Sequence, residues 1–563
     1  MTQKKIPYGI SNFRTIVEDG YAYVDKTRFI RSLEDNPAPY VFFLRPRRFG
    51  KSLFVSLLNY YYDINERENF SALFSDTEIG REPTRKHNSY YVLNFNFSAI
   101  TTGSEEDLNE SFTTRIRDSL NQFIEKYHLD IQMDPTGSAA DLLTGLFSRL
   151  PAGMNGQIFV IIDEYDHFAN ELLGFNLDLF QDTISRQGFI RKWYEALKIG
   201  TQTFIGRIFA TGVSPITLDS LTSGFNIADD ITRNPKFNEM MGFTEEEVRD
   251  LVTLTLPCNS SSPEMSQTLR QYYNGYLFSE DAGTRLFNSD MILYYLKSYL
   301  SRNKPPEKLL DVNISSDYGK MGRLLRIRSP NRNMEIMKEI VYSRVVSTRM
   351  TEQFSMERRF TGDDFKSLLF YLGLLTIKEN MPGRVSLQTP NYVIHGLYYD
   401  FFLELIAHEA HYQLNTESIA QAIEQIAVSG RCDRLVALIE ELLHAFSNRD
   451  YIGFDEKYIK IAIFAYAHMS NLYLVKSEYE VMDGYIDIAF LKREPWHPDY
   501  YAIFELKYLK MSECTKDRIK KVTDDGVQQL TQYTSSPELS AISNLKKWVL
   551  VFAGDRCVAM QEV

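Results

Sequence analysis

Two stretches, far apart in a chain of 563 residues, hold side chains whose types and spacing suit phosphate chemistry. The first is Gly50-Lys51-Ser52. It follows the apolar run Tyr40–Leu44 through Arg45-Pro46-Arg47-Arg48-Phe49 and leads into helical spacing from Leu53 to Tyr61. Strand, loop, GK[ST] and helix is the context that a P-loop requires. Backbone N–H groups at such a helix start wrap phosphates, the lysine reaches the β/γ oxygens and the hydroxyl holds Mg²⁺. Arg45 through Ser52 is therefore the expected ATP-binding loop, with Ser52 a metal ligand. Its first position departs from G-x-x-x-x-G-K-[ST]: Arg45 stands where a Gly normally permits a tight turn, and Pro46 offers a fixed φ in its place.

Ile158-Phe-Val-Ile-Ile162 reads as a buried strand that runs into Asp163-Glu164-Tyr165-Asp166. An Asp at the carboxyl end of a parallel strand faces the crevice where ligands bind. Asp163 is expected to hold Mg²⁺ through water and Glu164 to orient or deprotonate the attacking water, with Asp166 helping to place the pair. A third strand, Arg207–Ala210, ends in Thr211-Gly-Val-Ser214-Pro215. Two readings of Thr211 and Ser214 stand there, a sensor of the γ-phosphate and plain turn chemistry. Spacing assigns neither Arg207 nor Arg233 as an arginine finger. Asp25 or Thr27 caps the helical run Arg28–Leu33.

The second stretch lies near the other end. Asp483-Gly-Tyr-Ile-Asp487 precedes Tyr501-Ala-Ile-Phe-Glu505-Leu-Lys507, and period-2 alternation puts Glu505 and Lys507 on one face of their strand. If the two strands pair, Asp487 joins that face. Two carboxylates beside a lysine make an oxygen-ligand site for Mg²⁺, suited to phosphodiester hydrolysis in the D…(D/E)-x-K pattern. Glu456, on a helix from Asp455 to Ala465, is a further candidate metal ligand, with Glu478 and Glu480 as alternatives. Gln529 and Tyr533 stand four apart on a later helix and so share a face. They resemble the Q-x-x-x-Y element of RecB-type nucleases.

The wider run of motifs resembles the bacterial AAA-ATPase-like family. It comprises Pro7-Tyr-Gly-Ile10, Tyr23-Val-Asp-Lys-Thr27, Phe43 through Ser52, Ile162 through Asp166, Thr211 through Pro215, Ser223-Gly-Phe-Asn-Ile227 and Tyr273-Asn-Gly-Tyr276. The likeness runs through nearly the whole chain. Members of that family also carry Arg where Arg45 stands and usually end in a PD-(D/E)XK nuclease domain. This implies ATP and Mg²⁺ as cofactors and nucleic acid as partner, DNA ahead of RNA. The family often has Gly-Arg before the metal-binding Asp, whereas here the pair is Gly484-Tyr485. That touches substrate grip more than metal binding.

The elements that must position these residues divide the chain into three. Residues 1–235 alternate β-rich runs with helical patterns, as in an α/β P-loop NTPase with a parallel sheet and helices on both faces. Residues 236–415 read as helical, opening on the capping box of Thr244 and Glu247, with polar breaks at Asn259–Pro263 and Lys304–Pro306. A helix, a hairpin turning at Met381-Pro-Gly383 and a helix from Pro390 suggest a winged-helix-like module, either DNA-binding or a lid. Residues 416–563 form a second α/β unit of restriction-endonuclease-like type, with strands near Tyr473–Lys476, Tyr485–Leu491, Tyr501–Leu506 and Trp548–Ala553.

A hydrophobic content of 44% with 24% charged residues is ordinary for a globular protein, and a net charge of -12 excludes a coat of nucleic acid over the whole surface while leaving room for a local basic groove. The four cysteines form no CxxC pair, no apolar run approaches the roughly 20 residues that span a bilayer, and the start lacks a secretory signal. A cytoplasmic protein is expected. The nine histidines give no HExxH, and Gly212-Val-Ser214-Pro lacks the second Gly of a nucleophile elbow. The expected activity is ATP hydrolysis coupled to Mg²⁺-dependent nucleic-acid cleavage. The alternative is a nucleotide-dependent switch whose nuclease-like domain is an inactive scaffold. Homo-oligomer formation stays open without a placed arginine finger.

Overall fold

The computed structural model describes residues 3–169, 172, 188–216, 226–257, 263–311, 314, 321–325, 327, 329–354, 360–410, 412–447, 456–481, 484–534 and 537–563. Ser223–Phe225, Cys258, most of the Asn259–Pro263 break, Asp455 and Asp483 lie outside them. The chain divides into two compact units, one of residues 1–300 and 310–392, the other of 301–309 and 393–563.

In the first unit, β1 (Tyr40–Leu44), β2 (Tyr91–Asn96), β3 (Ile158–Asp163), β4 (Ile205–Gly212) and the two-residue β5 (Asp229–Asp230) form a sheet in the order β2-β3-β4-β1-β5. All its neighbours are parallel. β1 and β3 are buried along almost their whole length, which is why they read as unbroken apolar runs. Helices α1 (Lys51–Tyr62), α2 (Glu105–Lys126), α3 (Ala139–Phe147) and α4 (Phe189–Gly200) accompany the sheet. α2 buries Leu108, Phe112, Ile116, Leu120 and Phe123, a stripe at helical spacing. Trp193 of α4 packs edge-on against Phe95, Phe97 and Phe112, joining that stripe to β2. With β4 between them, the ends of β1 and β3 open onto one crevice.

At the start of the Arg28–Glu34 helix, Asp25 Oδ1 accepts the Thr27 amide, whereas the Thr27 hydroxyl makes no cap there. Asp25 Oδ2 and the Thr27 hydroxyl also accept the amides of Glu78 and Ile79, at the start of the short helix Glu78–Arg81. Further along, α5 (Pro330–Ser343), β6 (Val345–Thr348), α6 (Gly362–Tyr371), β7 (Thr376–Met381) and β8 (Arg384–Gln388) build an antiparallel sheet in the order β6-β8-β7 beside two helices. This is a winged-helix-like arrangement whose first strand, β6, the sequence pattern did not indicate.

The second unit contains α7 (Tyr392–Ala410), which starts at its edge, and α8 (Glu456–Ser470), which leads into β9 (Leu474–Val481), β10 (Gly484–Leu491) and β11 (Tyr501–Leu509). After α9 (Lys516–Tyr533) come β12 (Leu545–Ala553) and β13 (Arg556–Glu562). The sheet runs β13-β12-β11-β10-β9, with β11 and β12 parallel and every other pair antiparallel. α9 lies on a cluster that includes Ile503, Leu530, Val549 and Val551. It can approach because Gly526 faces Val549, where a Cβ would come within 2.8 Å of a methyl. No described helix is long and apolar enough to cross a membrane.

Candidate functional sites

The loop after β1 is held from beneath. The Arg45 guanidinium, 1% exposed, donates to the carbonyls of Leu44, Thr232, Phe237 and Asn238 and lies 4.2 Å from the ring centres of both Phe43 and Phe278. Burial pulls its pKa down to about 9. Arg45 therefore acts as a buried anchor, not as a phosphate contact. Arg48 and Gly50 adopt left-handed backbone, with φ of 70° and 93°, which turns the chain into α1. Phe49 is buried edge-on against Tyr276 and Phe278, and its carbonyl accepts from Gly242 N–H and the Ser289 hydroxyl. Lys51 Nζ donates at 3.0 Å to the carbonyls of Arg45 and Pro46, so its ammonium spans the mouth of the loop. Burial lowers its pKa, and the carboxylates of Asp163, Glu164 and Asp166 oppose that fall.

Across the crevice, Asp163 ends β3 and its carboxylate hydrogen-bonds with Ser52. Burial raises its pKa despite Ser52 and Lys51. Its Oδ1 is buried without a hydrogen-bond partner, and that orphaned oxygen together with the Ser52 hydroxyl suits a Mg²⁺ ion with its waters. Glu164 has φ of 53° and lies 3.2 Å from His167 Nδ1, a contact that lowers the Glu164 pKa. Asp166 accepts from the amides of Val213 and Ser214 and from the Ser214 hydroxyl. A Cβ on Gly212 would collide with Asp166, so only Gly permits this contact. The Thr211 hydroxyl donates to the Phe43 carbonyl at 2.7 Å inside the sheet. The Thr211 and Ser214 hydroxyls both have partners within the protein, and neither residue lines the cavity described next. Arg207 donates to the Leu33 carbonyl and Arg233 pairs with Glu280 and Glu352.

A cavity of about 440 Å³ opens over the loop, within the range of small-ligand sites. Arg47 through Ser52, Glu164 and His167 form its polar end. Ile10, Val24, Met240 and Leu251 belong to its apolar wall. That wall comes from segments 7–24 and 240–251, which no local motif marked as ligand-binding. The signal was present only as the Pro7–Ile10 and Tyr23–Thr27 stretches of the family pattern.

In the second unit, Ile488 pairs with Phe504, which brings Asp487 beside Glu505. Asp487 Oδ2 accepts the Leu506 amide at 2.8 Å, between Glu505 and Lys507. Lys507 Nζ donates to Glu505 Oε1 at 2.7 Å. Glu505 is 4% exposed; burial and the neighbouring Asp487 push its pKa up to about 7, against the pull of Lys507. Its Oε2 is buried and unpartnered. Glu456, at the start of α8, adds to the negative field on Glu505 and Lys507. On α9, Gln529 has a buried Oε1 without a partner, and the Tyr533 ring packs on Gly484. Among the described residues, no three of His, Cys, Asp and Glu converge as a ready metal cage. The open oxygen of Glu505 beside Asp487 nevertheless suits a hard cation with few protein ligands. Lys460 of α8 also reaches this site, 2.9 Å from Asp487 Oδ1, and no sequence pattern had singled it out.

Residues 7–222 match the family described as Predicted AAA-ATPase, and residues 454–562 match the PD-(D/E)XK nuclease superfamily. The first match takes in the loop and the β3 carboxylates, and the second takes in Asp487, Glu505 and Lys507; together they support nucleotide binding and nuclease-type chemistry. A protein of Azotobacter chroococcum mcd 1, described as an uncharacterized protein in the vnfD 5′ region, is 30% identical over 302 residues. The match covers 53% of each chain, so this chain spans about half the length of the curated relative it matches.

Proposed function

We propose that the chain is an ATP-driven, Mg²⁺-dependent nuclease that acts on nucleic acid, DNA ahead of RNA. The observation that carries this reading is the Leu506 amide on Asp487 Oδ2, which seats one carboxylate between Glu505 and Lys507. Asp487 and Glu505 would hold Mg²⁺, with Glu456 adding to the negative field that attracts it. When bound, the ion supplies a water of lowered pKa and offsets charge on the phosphate. Lys507 holds Glu505 Oε1 and stands where an ammonium can steady a phosphodiester in reaction. Gln529 and Tyr533 line the α9 side and orient the substrate.

In the other domain, Lys51 would exchange the Arg45 and Pro46 carbonyls for phosphate oxygens, Ser52 and Asp163 would hold Mg²⁺, and Glu164 would orient the attacking water. ATP turnover in residues 1–235 then licenses cleavage in residues 416–563, with 236–415 as lid and coupling region. The setting is the cytoplasm, and a homo-oligomer is compatible with this reading.

The test is a cleavage screen with Mg²⁺ and ATP over single-stranded, duplex and supercoiled DNA and over RNA, with Lys51→Ala and Lys507→Ala alongside. Loss of ATP hydrolysis in the first and of cleavage in the second is expected. Cleavage that survives removal of both Glu505 and Lys507 removes the nuclease assignment. Tight ATP binding with little turnover and no cleavage would make the chain a nucleotide switch.

A further inference from the structure

The nuclease-like site holds one more cation than D…E-x-K supplies. Lys460 lies one turn beyond Glu456 on α8, and its ammonium is 2.9 Å from Asp487 Oδ1 and 3.4 Å from Glu478 Oε1. The Lys460 and Asp487 side chains are only 14% and 15% exposed, so this is not a loose surface pair. With Leu506 N–H on Oδ2, both oxygens of Asp487 are engaged. Glu505 is arranged differently: Oε1 takes Lys507 and Oε2 has no partner. A divalent cation entering here meets one open oxygen on Glu505 and, on Asp487, an oxygen already covered by an ammonium.

We propose that Lys460 is a positioning residue that competes with a divalent cation for Asp487, holding the carboxylate in the metal-free site and yielding Oδ1 when the ion enters. A hard cation at about 2.1 Å from that oxygen leaves no room for an ammonium on the same lone pairs, and the two positive charges repel. Glu478, whose side chain is 67% exposed, gives the displaced ammonium a partner at the solvent edge. The inference rests on the proposed reading of this site as Mg²⁺-binding.

The experiment uses the full chain without nucleotide or nucleic acid and measures Mn²⁺ binding by isothermal titration. Asp487→Asn defines which binding belongs to this site. Lys460→Gln should bind Mn²⁺ there about twofold to fivefold more tightly than the wild type, the scale of one partly screened charge pair. Lys460→Met, which keeps the stem packed on α8, should behave likewise, and Lys460→Arg should show no gain. A thermal melt of each variant identifies any that has failed to fold. If Asp487-dependent binding is present in the wild type and unchanged or weaker in Lys460→Gln and Lys460→Met, Lys460 is only a clamp between α8 and β10 and the proposal falls alone. If no variant shows Asp487-dependent binding, the metal reading of the site falls and takes the proposal with it.

Discussion

Four carbonyls and two aromatic rings surround the Arg45 guanidinium, which occupies the position where most phosphate-binding loops have a glycine. The loop is thus tied to residues 232–238 by a side chain instead of turning freely. Arg45→Gly should therefore weaken the protein even though it restores the commoner motif. Leaving buried carbonyls without donors costs on the order of 3 kcal/mol, read as a lower melting temperature and weaker ATP binding. Glu505 makes the opposite case. Its folded pKa of about 7 lies above the ordinary glutamate value of 4.5, so the folded protein binds the extra proton and stability falls as pH rises from about 4.5 to 7. Glu505→Gln removes a shift of up to ~3 kcal/mol. The variant should melt higher than wild type at pH 8 without metal, match it near pH 4.5, and lose cleavage. Equal melting at pH 8 would mean that Glu505 is not held against ionisation.

At the scale of elements, what the residue pattern revealed depended on how local the cause was. β1 and β3 were legible because burial on both faces demands unbroken apolar runs, and β11 because period-2 alternation carries Glu505 and Lys507 through an otherwise apolar stretch. The strands β6 and β13 were not, the first being four residues long and the second half-exposed with mixed polarity. Arg45, Lys460 and Gly526 were illegible for another reason. Their partners lie far along the chain or on another element, so no spacing announces them. Gly526 is the clearest of these: it has no chemistry of its own, yet it sets how closely α9 approaches β11 and β12. Gly526→Leu should push α9 off Val549, remove Gln529 and Tyr533 from the site and cut cleavage by tenfold or more while ATP hydrolysis persists; an overpacked core of this kind costs about 1–3 kcal/mol. A parallel loss of ATP hydrolysis would place the damage beyond the α9 contact.

For the whole molecule, the question is whether two sites with separate cores work as one machine. Each compact unit contains its own sheet, so a substitution in one need not unfold the other. Glu164→Gln keeps the shape of the β3 end and its place in the cavity but removes the carboxylate proposed to orient or deprotonate water. ATP binding should be retained and hydrolysis should fall by ~100-fold or more. If turnover licenses the PD-(D/E)XK site, ATP-stimulated cleavage falls by a similar factor. Asp487→Asn is the reciprocal probe: it should abolish cleavage and leave ATP hydrolysis within about twofold, because a change in a binding equilibrium is reciprocal between sites but a catalytic rate need not be. Cleavage by Glu164→Gln at the wild-type rate would separate the two activities and leave nucleotide binding, not hydrolysis, as the signal that passes along the chain.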